Sequence, residues 1–400
     1  MTNAVVGLVQ DNRDSYETMW ADYDNDGRPD LFVAVKDDNG INQTNFLYHN
    51  QGNGTFARVT TGSIGTDNEY SGGCAWGDYD NDGYPDLFVV NGKYSVATNS
   101  LYHNNQDGTF TKKTGAEVGS IASDAAFFSS CAWGDYDNDG FIDLFVTCGG
   151  AGYQSGPNGS IPGTNYLYHN NCDGTFTRVL SGSLVHDLGF SWNCAWGDYD
   201  NDGFLDLFVT RPSTNFIIPF TPPLLYRNSG NSNNWLKVTL VGTLSNRSAI
   251  GAKVRVQATI RGQAMWQLRD INNGNGMGGS SLIAHFGLGD ATNIDLVRIE
   301  WPSGIIQTLT NVATKQSLTI VEHQPPGAAP PVFTGVSRST NGVLNLSVTG
   351  GTGLLYLFEA STNLVNWMKV GIRTNLTGSV SFTDSKATAL AKRFYRVSIP

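Results

Sequence analysis

The sequence predicts an all-β chain: a run of propeller blades, four of them visible, then a β-domain and a small β-sandwich. Three observations carry this prediction. Trp20, Trp76, Trp133 and Trp196 recur at separations of 56, 57 and 63 residues, each followed by an acidic loop, so the first half is an internal repeat. Each unit holds short apolar segments parted by turn residues, with four strands per unit in the typical copy, which is the make-up of a propeller blade. Composition agrees: 47 Gly, 11% aromatic residues and 15% charged residues describe short strands and tight turns rather than helices with Lys/Glu-rich surfaces.

Within the units, Leu31 to Val35, Leu87 to Val90, Leu144 to Thr147 and Leu207 to Thr210 are unbroken apolar and β-branched runs, as strands covered on both faces require. Asn53-Gly54, Asp107-Gly108 and Asp173-Gly174 then mark hairpins, because Asx-Gly accepts the left-handed backbone of a tight turn. His49, His103 and His169 recur in the motif LYHN, with Arg227 at the same place in the fourth unit. Equivalent positions on separate blades lie far apart, so these histidines are expected to be structural or at the surface rather than metal ligands. Cys74, Cys131 and Cys194 each precede a repeat Trp by two residues and read as small core residues of equivalent strands. Cys148 and Cys172 lie at opposite ends of a strand about 20 Å long, so a bridge between them is not expected.

Every unit contains the pattern DxDxDGxxD: Asp22, Asp24, Asp26 and Asp30; Asp78, Asp80, Asp82 and Asp86; Asp135, Asp137, Asp139 and Asp143; Asp198, Asp200, Asp202 and Asp206. The chemistry of calcium explains the spacing. Carboxylates at positions 1, 3 and 5 converge on one hard cation, Gly27, Gly83, Gly140 and Gly203 permit the sharp turn, and the backbone carbonyl of position 7 adds an oxygen. Position 7 is Arg28, Tyr84, Phe141 and Phe204, a variation that a main-chain donor tolerates. An EF-hand would need Glu at position 12 and a helix after the loop; here position 9 is Asp and a strand follows at once. Carboxylates crowded in this way repel one another unless a cation is present, and a small octahedral magnesium ion suits such a cage poorly. The expected cofactor is therefore Ca2+ at four sites. Sixteen of the 35 carboxylates lie in these loops, and four calcium ions would bring the formal net charge of −10 to about −2.

With these residues in view, WGDYDNDGxxDLFV resembles FG-GAP repeats of the VCBS type, which are related to the calcium-loop blades of integrin α-chain propellers. The resemblance covers residues 1–233. The FG and GAP tripeptides of the integrin form are absent, so integrin ligand-site residues are not carried over, and since such propellers commonly have seven blades, closure of the ring is left open. From Asn234 the repeat stops, and NWLKVTLVG, SNRSAIGAKVRV, HFGLGD and IEWPSGIIQTL resemble the ASPIC/UnbV domain over residues 234–323. Residues 324–332 form a Pro-rich linker of the semi-rigid kind. Residues 333–400, with YLFEASTNLVNW and RFYRV, resemble a small fibronectin-III-like domain.

The acidic balance argues against non-specific attraction to nucleic acid or anionic lipid. No 18-residue apolar run is present, so membrane insertion is not expected, and an export signal is expected upstream of Met1. Ser245, Arg247 and His285 lack a third orienting group, and NNGNGMGG has no helix after it to make a phosphate cradle, so no catalytic constellation is identified. Ligand contact is expected in the loops that break the repeat. From the last loop Asp to the LY pair the second unit spans 15 residues and the third 24, the addition bearing Tyr153, Gln154 and Asn158. The fourth unit puts Phe216 and Phe220 there. The functional reading is a calcium-binding extracellular or cell-surface binding or adhesion protein, not an enzyme, whose metal is structural and whose ligand is a carbohydrate or a protein. The alternatives are a secreted hydrolase or lyase acting on a polysaccharide or phosphoester, and a structural subunit of a surface complex.

Overall fold

A computed structural model of the chain describes residues 15–35, 43–92, 96–149, 163–211, 222–272, 282–323, 331–339, 343–351, 354–389 and 392–398. They form two compact units, the first made of Met1–Leu240, Ser248–Pro302 and Ile306–Ile320, the second of Val241–Arg247, Ser303–Ile305 and Val321–Pro400. The protein is all-β with propeller-like blades, as the repeat predicts. Among the described residues no helix is long and apolar enough to cross a membrane, a statement that bears on helical spans alone.

The first unit opens with successive antiparallel sheets, one per repeat. Ser15–Ala21, Asp30–Val35, Phe46–Asn50 and Phe56–Val59 lie side by side in that order. Ser71–Gly77, Asp86–Asn91, Ser100–Asn104 and Phe110–Lys113 repeat the arrangement, as do Phe128–Gly134, Asp143–Cys148, Tyr166–Asn170 and Phe176–Arg178. The fourth blade has Asn193–Gly197, Asp206–Thr210 and Leu224–Tyr226. Gly54, Gly108 and Gly174 take positive φ in the predicted hairpins. Short helices at Gly62–Thr66, Gly115–Val118 and Ser183–His186 join one blade to the next. They span a single turn, too short to leave a helical period in the sequence.

The second strand of each of the first three blades is buried along its whole length, which is why it reads as an unbroken apolar run. Alternation divides its side chains between two neighbours: Phe32 and Ala34 join the core shared with the second blade, while Leu31, Val33 and Val35 build a separate cluster with Phe46 and Tyr48. The repeat Trp sets the spacing between blades. Phe32 meets Trp76, Phe88 meets Trp133 and Phe145 meets Trp196 edge-on, with centroids 6.4, 6.1 and 6.2 Å apart. The Trp133 and Trp196 indoles donate to the Ala75 and Ala132 carbonyls of the preceding blade at 3.2 and 3.0 Å. Gly77 and Gly134 make room for these rings, since a Cβ there would lie 2.8 Å from Trp133 and 2.7 Å from Trp196.

The remainder of the first unit is a pair of sheets, one ordered Gln263–Asp270, Lys253–Ile260, Asn293–Glu300, Ile306–Ala313, the other Ile283–Gly289, Asn234–Val241, Gln316–Val321. In Lys253–Ile260 the residues Val254, Val256, Ala258 and Ile260 are all buried, the period-two pattern of a strand with one face on a core. The second unit contains two three-stranded sheets, Val332–Arg338, Leu344–Thr349, Ser379–Asp384 and Met368–Thr374, Leu355–Ser361, Phe394–Ser398, around Leu346, Val348, Tyr356, Phe358 and Phe382. Its Glu322 is buried and accepts hydrogen bonds from the Thr243, Leu244 and Ser245 amides, each 2.8 Å, and from the hydroxyls of Ser245 at 2.9 Å and Ser303 at 2.5 Å.

Trp133 and Trp20 occupy equivalent positions but different surroundings, and their truncation should separate accordingly. Trp133→Ala should cost about 3–5 kcal/mol, the range for removing an aromatic side chain from a packed site, whereas Trp20→Ala, 44% exposed, should cost less than about 1 kcal/mol. Denaturant unfolding followed by circular dichroism measures both, and equal losses would show that the indole does not hold the blades together.

Candidate metal centres

Each DxDxDGxxD segment leaves the end of an innermost strand and returns to the sheet at Asp30, Asp86, Asp143 or Asp206, the first residue of the next strand. The first carboxylate folds the loop around itself. Asp78 accepts the Asp82 N–H at 3.0 Å on Oδ1 and the Gly83 N–H at 3.1 Å on Oδ2, and Asp22 and Asp135 bind their own loops the same way. The fifth-position carboxylates Asp26, Asp82, Asp139 and Asp202 accept the N–H of Arg28, Tyr84, Phe141 and Phe204 at 2.8, 2.9, 2.9 and 3.0 Å. The turn needs two left-handed residues, Asn81 at φ 59° and Gly83 at φ 91° in the second loop, and Asn and Gly are the residues that take this conformation most readily.

The ninth-position carboxylate is the hub. One oxygen accepts the N–H of Tyr23, Tyr79, Tyr136 or Tyr199 at 3.3, 3.2, 3.1 or 3.1 Å, and the other accepts the N–H of Asn50, Asn104, Asn170 or Asn228 at 2.7, 2.8, 2.9 or 2.8 Å. All four hub aspartates are buried. Burial pushes the Asp30 carboxyl up to about 8 and those of Asp86 and Asp143 up to about 7, and it raises Asp78 and Asp135 well above the carboxylate range. Groups held so far from water stay ionised only beside positive charge.

The side chains converge as the spacing predicts. Donor atoms of Asp22, Asp24 and Asp26 lie within 4.8 Å of one another, as do those of Asp78, Asp80 and Asp82. Asp24, Asp30 and His49 form another such group, as do Asp80, Asp86 and His103, and Asp137, Asp139 and His169. The histidines thus stand half-buried against the loop of their own blade: His103 Nδ1 is 3.2 Å from both Asp80 Oδ2 and Asp86 Oδ1, and hydrogen bonding to these carboxylates pushes the imidazole up to about 10. In the fourth blade the Arg227 Nε lies 2.6 Å from Asp200 Oδ2 and holds that carboxyl below its ordinary value. Asp198 Oδ1 is buried without a hydrogen-bond partner, an orphaned acceptor of the kind a cation would satisfy. The converging groups bring together Asp22, Asp24, Asp26 and Asp30 of the first loop, Asp78, Asp80, Asp82 and Asp86 of the second, and Asp137 and Asp139 of the third, while Tyr153, Gln154, Asn158, Phe216 and Phe220 lie outside the described residues.

Two sets of asparagines tie neighbouring loops together. Within the loops, Asn25, Asn81 and Asn138 donate to the Gly83, Gly140 and Gly203 carbonyls of the following blade at 3.1, 3.0 and 3.0 Å. At the ends of the third strands, Asn104, Asn170 and Asn228 donate to the Tyr23, Tyr79 and Tyr136 carbonyls of the preceding blade at 2.8, 2.8 and 2.7 Å. Sequence reasoning missed both sets, although Asn recurs at each position in all four units.

The paired sheets of the first unit lie over this row of loops. Lys253 Nζ is 2.7 Å from Asp22 Oδ2, Arg255 Nη1 donates to the Gly83 carbonyl at 3.2 Å, Arg261 Nη2 is 2.9 Å from Asp139 Oδ2, and Lys237 Nζ is 2.6 Å from Asp198 Oδ2. Packing there is tight: a Cβ on Gly203 would lie 1.8 Å from the Trp235 ring, and one on Gly287 would lie 2.0 Å from Asp135 Oδ2. A cavity of about 200 Å³ remains, lined by Trp76, Trp133 and Trp196 on one side and Arg269, Asp270 and His285 on the other. Burial pushes His285 down to about 4, so its imidazole is neutral at physiological pH, with Nε2 3.0 Å from the Gly203 carbonyl. Ser245 donates to Glu322, so each of these two residues is engaged in a structural bond.

Comparison with known proteins follows the same division. A family model described as FG-GAP-like repeat matches residues 22–89, 78–146 and 156–209, and one described as ASPIC and UnbV matches residues 242–326. Cartilage acidic protein 1 of Mus musculus is 29% identical over 70% of this chain and 41% of its own, and that of Homo sapiens is 28% identical over 70% and 40%. The chain thus spans about two fifths of the length of the curated relatives it matches. A solved glycoside hydrolase structure aligns over 97% of this chain and 94% of its own at 8% identity, and its TM-score of 0.28 supports no conclusion. The chain belongs to the FG-GAP-like repeat proteins that carry an ASPIC and UnbV domain.

Proposed function

We propose that the protein is a calcium-stabilised binding module that works outside the cell or at its surface and takes a carbohydrate or protein ligand. The observation that supports the metal reading is the convergence of alternate carboxylates around a buried ninth-position Asp, with Asp198 Oδ1 left unpartnered. Oxygen donors without sulfur match a hard cation. The residues that would hold it are the aspartates at positions 1, 3, 5 and 9 of each loop and the carbonyl of Arg28, Tyr84, Phe141 or Phe204. Bound calcium supplies the charge that keeps these buried carboxylates ionised. The chain's own residues shape the turn, fix each hub carboxylate by two backbone N–H groups and join each loop to the next.

The four loops are not electrostatically equal. Among the described residues no Lys or Arg forms an ion pair with a carboxylate of the second loop: Gln106 lies 2.9 Å from Asp82 Oδ2, His103 stands against Asp80 and Asp86, and Arg255 reaches this loop at the Gly83 carbonyl. Arg28 and Lys253 touch the first loop, Arg261 the third, and both Arg227 and Lys237 the fourth. The second loop, whose carboxylates pair with no Lys or Arg, is therefore the strongest site, and the first and fourth, with two cations each, are the weaker ones. For the ligand, Tyr153, Gln154 and Asn158 offer an aromatic face and amides suited to sugar, and Phe216 and Phe220 an apolar contact.

Chelation should lower the melting temperature by several degrees, since each site filled at a hundredfold excess over its dissociation constant contributes about 2.7 kcal/mol. An unchanged melting curve would sink the metal reading. Calorimetric titration of calcium into Asp80→Ala should lose the tightest binding step, and Arg227→Gln should tighten the fourth site by about tenfold, equivalent to about 1.4 kcal/mol; unaltered isotherms would rule out the ranking. A glycan array probed with the intact chain and with a deletion of Gln154 to Ser160 tests the ligand contact, which is lost in the deletion if the loop binds sugar; undiminished signal would place binding elsewhere.

A further inference from the structure

The third loop differs from the other three in one donor. Two residues beyond Asn50, Asn104, Asn170 and Asn228 each blade has a residue in the left-handed region: Gly52 at φ 73°, Gln106 at 65°, Cys172 at 65° and Gly230 at 70°. Its N–H is held by the side chain of that Asn at 3.1, 3.0, 3.0 and 2.9 Å. Glycine, which this backbone favours, serves in the first and fourth blades. The second and third carry side chains there, and both reach the fifth-position carboxylate of the loop: Gln106 Nε2 is 2.9 Å from Asp82 Oδ2, and Cys172 Sγ is 3.0 Å from Asp139 Oδ2. The third blade thus brings sulfur to its loop where the second brings an amide.

His169 completes a mixed set. Its donor atom and those of Asp137 and Asp139 lie within 4.8 Å of one another. Its Nδ1 is buried without a hydrogen-bond partner, 3.4 Å from Asp137 Oδ2 and 3.2 Å from Asp143 Oδ1. Asp135, Asp139 and Asp143 are 1%, 3% and 0% exposed, so three carboxylates are held out of water here. Arg261 stands against the sulfur and oxygen together, with Nη1 2.9 Å from Cys172 Sγ and Nη2 2.9 Å from Asp139 Oδ2. Its side chain is 56% exposed, so the guanidinium is free to turn out to water and leave its place to another cation. Resting on the metal reading above, and amending it for this loop, we propose that the third loop takes a borderline transition-metal ion of the zinc class, held by Cys172, His169, Asp137 and Asp139, while the other three take calcium. Thiolate, imidazole and carboxylate together are a ligand set of zinc, whereas calcium takes oxygen donors. Binding exchanges the Cys172 S–H proton for the metal ion, and the proton passes to water. Cys74, Cys131, Cys148 and Cys194 are buried, so Cys172 is the thiol that a dissolved ion meets.

Cobalt(II), a spectroscopic stand-in for zinc, tests this on the full chain in reducing buffer with calcium present. One equivalent should give a thiolate-to-cobalt charge-transfer band in the near ultraviolet, and zinc should bleach it. Cys172→Gly, which puts in the third blade the residue that the first and fourth use in this backbone, should keep its circular dichroism and melting temperature in calcium, lose the band and bind zinc about a hundredfold more weakly. Cys172→Gln, matching Gln106 of the second blade, serves as a second variant. Arg261→Gln should take zinc more tightly, because it removes the competing charge. The absence of a charge-transfer band in the native chain overturns the proposal, as does a band that survives in the Cys172 variants or is abolished by excess calcium, or zinc binding that is unaltered or weaker in Arg261→Gln. Calcium calorimetry keeps this proposal apart from the reading it rests on. Calcium bound at every loop with no cobalt band overturns the third-loop assignment alone, whereas a band that depends on Cys172 in a chain that takes no calcium overturns the calcium reading and upholds this one.

Discussion

A carboxylate held away from water at the meeting point of a loop and two strands is the constraint on which the blade architecture rests. Asp86 is fully buried, fixes the Tyr79 and Asn104 backbone, and begins a strand whose every residue is buried. Moving it would release the loop, the second strand and the end of the third at once. Its counterparts Asp30, Asp143 and Asp206 repeat the arrangement, so each blade is anchored at its charged end as well as through its packed apolar strands. The burial that makes the anchor rigid also makes its charge expensive, so the carboxylate needs positive charge nearby to stay ionised.

That charge comes in part from the chain itself. Lys237 and Asp198 form an ion pair with side chains 5% and 3% exposed, and losing one partner of such a pair leaves the other stranded at a cost of about 3–5 kcal/mol. The same strand supplies Trp235, whose ring lies on Gly203, so electrostatic and steric fit at the fourth loop come from residues two apart on one face. Coupling between loops is carried by direct hydrogen bonds. Asn81 spans from the second loop to the Gly140 carbonyl of the third, and Asn138 from the third to Gly203 of the fourth, so no loop can change its backbone without disturbing a neighbour.

Much of this was legible in the sequence, and what was not has physical reasons. The loops could be read because DxDxDGxxD recurs in all four units and its Gly marks the left-handed turn of each loop. The second strands could be read because burial on both faces leaves no polar residue in the run. His49, His103 and His169 were expected to be structural or at the surface because separate blades were compared with one another; their acidic neighbour is the loop of the same blade, brought close by the pairing of the second and third strands. The asparagines were visible as repeated letters, but an amide reaching across to the next sheet follows from stacking, which spacing along the chain does not encode. Lys253 and Arg255 carry no signal of a partner in the sequence, and only the fold places acidic loops opposite them. Charge alternating with apolar residues looks the same whether it faces water or another part of the chain.

The order of these contacts also acts as a ruler. Reading across the paired sheets, Lys253 meets the first loop, Arg255 the second, Arg261 the third and Lys237 the fourth. Blade-to-blade junctions alone would tolerate gain or loss of a whole repeat, because each uses the same residues at either side. A duplication inside the row would leave those junctions intact and yet displace every later loop by one blade from the cation that serves it. The blade count between Lys253 and Lys237 is therefore held by a segment outside the repeat, so that the number of repeats and the spacing of the basic residues can change in evolution only together.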